Sequence, residues 1–131
     1  MKLKEICDFL NSEVPLAFQE RYDNSGLQVG FPDMEIKSAL ITLDVTENVI
    51  DEAVSENCNL IVSHHPVIFD GIKKITGSTL TERVLLSAIS KNVAIYSAHT
   101  NLDSIMGGVS TEWLKSLVLG TPQFFLLLKA G

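Results

Sequence analysis

The stretch NLIVSHHP, residues 59–66, decides the architecture. Its apolar part does not alternate with polar residues, which is how a strand reads when both of its faces are covered. The same pattern occurs on either side of it. Upstream, SALITLDVT contains an apolar strand over residues 38–43 that ends at Asp44. Downstream, VAIYSAHTNLD is a strand followed by a loop. Between the strands lie helical segments. TENVIDEAVSEN has Thr46 as its N-cap and acidic residues in its first turns, and TLTERVLLSAISKN carries Asn92 near its C-terminal end. Alternating strands and helices predict parallel pairing through helical crossovers. The expected fold class is an α/β layered domain with a mostly parallel sheet flanked by helices.

Further out, Leu3, Ile6, Phe9 and Leu10 recur at helical spacing, so residues 3–13 are expected to form an amphipathic helix that Pro15 ends. Asn24-Ser25-Gly26 is turn chemistry, and residues 27–29 form a short strand closed by Gly30. After the third strand, GGVSTEWLKSLVLG predicts a helix entered at Ser110 and ended near Gly120, with Trp113 in the core. The main unit is therefore residues 1–120. Residues 121–131 form an atypical apolar tail, in which Phe124 to Leu128 are five large apolar residues in a row. This tail reads as a strand or helix packed on another domain or subunit, or as the cut start of a longer chain.

Composition narrows the function classes. A chain of 131 residues that is 46% hydrophobic suffices for one globular domain with a real core. The net charge of -6 and the absence of a basic cluster argue against nucleic acid as a partner. The N-terminal segment lacks the uninterrupted apolar region of a signal peptide, and no run is long enough to cross a bilayer, so no membrane partner is expected. Cys7 and Cys58 are too few for a disulfide framework and are expected to be buried free thiols. A reducing, cytoplasmic location follows.

Ligands of open parallel sheets bind outside the carboxyl ends of the strands. Read in order, those ends deliver Asp44, then His64 and His65, then His99 with Asp103 four residues on. All three histidines of the chain fall at this one edge. Neighbouring residues of a regular strand point to opposite faces, so His64 and His65 need the chain to leave the strand, which Pro66 ensures. Two adjacent imidazoles there can serve two adjacent ions, and Asp103 is the best candidate for a bridging carboxylate. Imidazole and carboxylate together suit zinc, iron, manganese or nickel. His99 has three readings: ligand, proton shuttle or hydrogen-bonding partner. Asp44 either supports a ligand or caps the turn that follows it. Asp23, Asn24 and Gly26 form either a ligand-contacting turn or a purely structural one. Gly107-Gly108 and Lys73-Lys74 are weaker pointers to an anion. A phosphoesterase with an Asp-His-His motif would want Asp where Ser63 stands, and an amidohydrolase would want His-x-His in its first strand.

DNSGLQVG (23–30), LDVT (43–46), SHHP (63–66) and HTNLD (99–103), followed by GGV, together resemble the GTP cyclohydrolase 1 type 2 family, also called Nif-three-like or YbgI-like. The resemblance covers about residues 1–120, the N-terminal part of a family member. It implies a two-metal centre on an α/β fold. His64 and His65 match the paired histidine ligands, Asp103 the bridging aspartate, and His99 a catalytic histidine close to the site. It also implies toroidal homohexamers with metal sites facing an internal cavity, and hydrolytic opening of the base of GTP, so the expected substrate is a small molecule of the nucleotide kind. Family members carry a late His-x-x-x-Glu pair that completes the metal shell. After Asp103 this chain has no histidine, and Glu112 is its one acidic residue. The chain is thus expected to be a truncated member or a fragment with a replaced tail. The leading expectation is a metal-dependent hydrolase domain. The alternative is a non-catalytic metal-binding or assembly module.

Overall fold

The computed structural model describes residues 1–105 and the backbone of residues 126–128. In chain order the elements are α1 (Leu3–Glu13), a 3₁₀ turn (Leu16–Phe18), β1 (Gly26–Val29), β2 (Ala39–Thr42), α2 (Glu47–Ser55), β3 (Leu60–Ser63), α3 (Leu80–Ser90), β4 (Ala94–Ser97), α4 (Thr100–Asp103) and β5 (Leu126–Leu128). The helix expected over residues 110–120, with Trp113, and the pair Gly107-Gly108 lie outside the described residues.

The strands form one sheet in the order β1-β4-β3-β2-β5. β2, β3 and β4 pair in parallel, with Ala39 opposite Leu60 and Leu60 opposite Ala94. β5 adds to the other side of β2, also in parallel, so this part of the apolar tail is a strand of the same sheet. β1 is the exception to the parallel pattern: it pairs antiparallel with β4. Strand direction leaves no trace in hydrophobic periodicity, so only the phrase "mostly parallel" covers this edge.

The pleat sorts the apolar residues into two cores. Ala39, Leu60, Val62, Ala94 and Tyr96 face Leu3, Ile6 and Leu10 of α1. Leu40, Ile61 and Ile95 face Ile50 and Ala53 of α2 and Val84 and Ala88 of α3. Successive crossovers that step the same way across a parallel sheet fall on the same face, and α2 and α3 share one. Every residue of β3 and β4 is buried, as continuous apolar runs require. Each large side chain so removed from water stabilises the fold by about 1.5–3 kcal/mol. Tyr96 keeps its hydroxyl satisfied by donating to Asn11 Oδ1 at 2.7 Å, which ties α1 to the centre of the sheet.

Local chemistry sets the ends. Thr46 and Thr79 each cap a helix by accepting the N–H three residues on. α2 and α3 end alike: Asn57 (φ 58°) and Asn92 (φ 57°) take the left-handed conformation, and Cys58 and Val93 donate back to Ala53 and Ala88. Gly30 closes β1 at φ +134°, where a Cβ would sit 2.8 Å from Leu3 and 2.9 Å from Ala94. Any larger residue would force α1 off the sheet. Cys58 is buried and Cys7 half-buried, and burial pushes the Cys7 thiol up to about 11. Among the described residues no helix is long and apolar enough to cross a membrane.

Candidate metal centre

The last row of the sheet changes character. Thr42, Ser63 and Ser97 stand in register at the carboxyl ends of β2, β3 and β4. The Ser63 and Ser97 hydroxyls lie 2.8 Å apart, and both reach the carbonyl of His65, at 2.9 and 3.4 Å. Beyond them the backbone stays hydrogen-bonded for two more residues: His64 N–H donates to the Thr42 carbonyl and His65 N–H to the Leu43 carbonyl. The His-His turn is therefore held from below by serines and from the side by the end of β2. On the next strand, Leu102 and Asp103 donate to the His99 carbonyl, making one helical turn. Residues four apart share a face of such a turn, which puts His99 and Asp103 on the same side.

These supports bring the three histidines together. The ring centroids of His64 lie 5.1 Å from those of both His65 and His99, and His65 and His99 are 5.5 Å apart. One ring nitrogen from each lies within 4.8 Å of the others. Each Nδ1 is already engaged. His64 Nδ1 is 2.8 Å from the Ala98 carbonyl, His65 Nδ1 is 2.7 Å from Asp44 Oδ1, and His99 Nδ1 is 2.9 Å from Asp23 Oδ1. A carbonyl can only accept, so His64 carries its proton on Nδ1 and leaves Nε2 bare. Carboxylates favour the same tautomer in the other two. An imidazole oriented by an oxygen on one nitrogen and bare on the other is how proteins prepare a metal ligand. Three such nitrogens, with a carboxylate nearby, fit a divalent transition ion.

Asp103 is exposed, and its Oδ1 lies 3.7 Å from His64 Nε2. The structure thus places all four expected residues, His64, His65, His99 and Asp103, at one point. The three imidazoles form the tighter group.

Two open readings are resolved at the second layer. Asp44 holds His65 as well as accepting from Thr42 Oγ1 on its carbonyl. Asp23 holds His99 and is wholly buried. It also accepts from the backbone N–H groups of Asn24 and Thr100 and from the hydroxyls of Ser25 and Thr100. Burial opposes the charge on Asp23, but the hydrogen bonds from Thr100, His99 and Asn24 outweigh it and keep the carboxyl well below its usual range. The 23–30 motif also fastens the loop after Pro66. Asn24 Nδ2 donates to the Ile68 carbonyl at 2.7 Å and Gln28 Oε1 accepts from Ile68 N–H at 3.2 Å. Gln28 reaches that loop from a register shift in β1 between Leu27 and Val29. The next residue, Phe69, sets its ring edge-on to His99 at 6.4 Å and 6.3 Å from Tyr22, so an aromatic wall flanks the histidines.

The serine pair and the Ala98 carbonyl had no signal in the sequence. An apolar cleft of about 640 Å³, lined by Gly30, Met34, Ile68, Leu85 and Ile89 among others, contains none of the histidines. A smaller one of about 140 Å³ has Asp44 and His65 in its wall. Donor chemistry, not cavity size, marks the site. Lys73 and Lys74 are exposed on the loop between Pro66 and α3.

The family model for Duf34/NIF3 (NGG1p interacting factor 3) matches residues 1–126. A GTP cyclohydrolase 1 type 2 homolog of Clostridium acetobutylicum is 41% identical over 129 residues, 98% of this chain and 47% of the relative. The homolog of Campylobacter jejuni is 45% identical over 128 residues, 97% of this chain and 52% of the relative. The chain spans about half the length of these curated relatives. Among solved structures, a Bacillus cereus protein related to NIF3 superposes with a TM-score of 0.78 at 36% identity, covering 89% of this chain and 32% of that one.

Proposed function

The chain belongs to the Duf34/NIF3 family, and from that premise we propose that it is the metal-binding part of a metal-dependent hydrolase acting on a small molecule of the nucleotide kind. One observation carries the reading: three histidines with every Nδ1 engaged gather their ring nitrogens within 4.8 Å. His64, His65 and His99 would supply nitrogen ligands and Asp103 a carboxylate. The gathering of His99 with the other two is what favours ligation over its alternative use as a proton shuttle. A divalent ion held there supplies Lewis acidity and lowers the pKa of a bound water toward neutrality. The chain's own groups do the rest. Asp44 and Asp23 orient the rings, Asp103 stands beside His64 as a second acceptor for protons, and the Phe69–Tyr22 wall gives a flat substrate an apolar face to lie on. The family setting supports a second ion bridged by Asp103, assembly into a homohexamer and a cytoplasmic location as parts of the same proposal.

Metal content tests it. Purified wild-type protein is expected to retain zinc, iron, manganese or nickel, and His64→Ala, His65→Ala and Asp103→Ala to lose most of it. Unchanged content in all three ends the proposal. The rival reading, a metal-binding or assembly module without turnover, has one observation in its favour: the chain covers about half of its relatives. Metal-dependent turnover of nucleotides or phosphoesters that Asp103→Ala abolishes decides for the enzyme, and metal binding without turnover decides for the module.

A further inference from the structure

We propose that Asp23 is the positioning residue of this centre: its buried carboxylate keeps the proton of His99 on Nδ1 and so leaves Nε2 bare for the point shared with His64 and His65. The inference rests on reading the three histidines as a donor set, but it concerns a proton that can be observed without any metal.

The argument is a count of donors around one carboxylate. Oδ1 accepts from Asn24 N–H at 2.7 Å and lies 2.9 Å from His99 Nδ1. Oδ2 accepts from Thr100 N–H at 2.9 Å, from Ser25 Oγ at 3.0 Å and from Thr100 Oγ1. The two backbone donors cannot reverse, so each oxygen must accept. Neither hydroxyl is free to turn around. Thr100 Oγ1 already accepts the N–H of Glu20 at 2.9 Å, and Ser25 Oγ the N–H of His99 at 3.4 Å. Each therefore directs its own proton to Asp23. A carboxylate caged by fixed donors presents His99 with an acceptor and nothing else, and an imidazole facing an acceptor must hold its proton there. The cage joins residues 23–25 to residues 99–100 across the antiparallel β1–β4 edge, which explains why a turn so distant in sequence from the histidines belongs to their site.

Asp23→Asn is the discriminating change because it keeps the shape and alters only the donor pattern. The new amide N–H₂ group must replace one oxygen. At the Oδ2 position it would meet three donors, and at the Oδ1 position one irreversible donor and His99. It therefore settles beside His99 and donates to Nδ1, which drives the His99 proton to Nε2. The experiment is ¹⁵N NMR of the histidine rings near pH 8 in protein stripped of metal, with the His99 signals identified by their loss in His99→Ala. Wild type is expected to show His99 protonated on Nδ1, and Asp23→Asn to show it on Nε2. Zinc affinity is expected to fall about 10- to 100-fold, the usual effect of losing such an orienting partner. A purely structural carboxylate would lower stability without moving the tautomer. Wild-type His99 protonated on Nε2, or a folded Asp23→Asn protein with the wild-type tautomer and zinc affinity, overturns the proposal. The wild-type spectrum decides the matter alone should Asp23→Asn not fold. Wild-type protein that takes up no zinc would instead overturn the metal reading, whatever the tautomer shows.

Discussion

Two carboxylate–imidazole pairs stand at the same edge of the sheet, and burial separates them. In the Asp23–His99 pair the carboxylate is 0% exposed and carries four further hydrogen bonds. In the Asp44–His65 pair the contact is as short, at 2.7 Å, but the carboxylate is 63% exposed. The same two-residue chemistry therefore has different consequences. A buried carboxylate removed from its cage leaves several donors without partners, whereas an exposed one is replaced by water. Asp23 is built into the fold, and Asp44 serves the site with little effect on the fold.

Asp23→Ala is expected to have the largest effect on stability. Breaking a buried, fully hydrogen-bonded charge typically costs about 3–5 kcal/mol, and equilibrium urea unfolding would measure it. Asp44→Ala is expected to cost less than about 1 kcal/mol, the range of exposed pairs. Its effect should appear instead in zinc titration, as a loss of about 10-fold in affinity, the lower end for a residue that orients a ligand. Equal stability losses in the two variants would break the comparison. An Asp44→Ala protein with unchanged zinc affinity would confine the orienting role to Asp23.

How much of this was readable beforehand follows from the kind of signal each feature leaves. Continuous apolar runs identified β2, β3 and β4 and predicted their burial, and strand-end reasoning brought His64, His65, His99 and Asp103 to one edge. Thr46 was legible as a cap because capping is local in sequence. Asp23 was not legible as the partner of His99, since 76 residues separate them and Asn-Ser-Gly reads equally well as an ordinary turn. The antiparallel direction of β1 and the Ser63–Ser97 pair depend on register, which is set by pairing between strands and not by either strand alone. Tertiary hydrogen bonds between distant polar residues are thus what the reading missed, and here they form the second layer of the site.

A third carboxylate extends the comparison to the surface, where the effect is smallest. Glu82, in the first turn of α3, accepts from the N–H groups of Thr76 and Ser78 and from the Thr76 hydroxyl, all on Oε2. These bonds, led by the two backbone donors, bring its pKa down from 4.5 to about 2. A folded-state value below the unfolded one means stability that is present in full above about pH 4.5 and lost as pH falls through 4.5 toward 2. Glu82→Gln removes that term. The wild-type advantage over Glu82→Gln in urea midpoint should therefore hold constant from pH 7 to 5 and shrink below it. Asp23 titrates lower still and in both proteins alike, so it drops out of the difference. A constant gap down to pH 2.5 would show that the loop's donors stabilise the uncharged side chain equally well. The distinction drawn between Asp23 and Asp44 would then extend to Glu82: burial, more than the number of donors, would decide what a carboxylate contributes here.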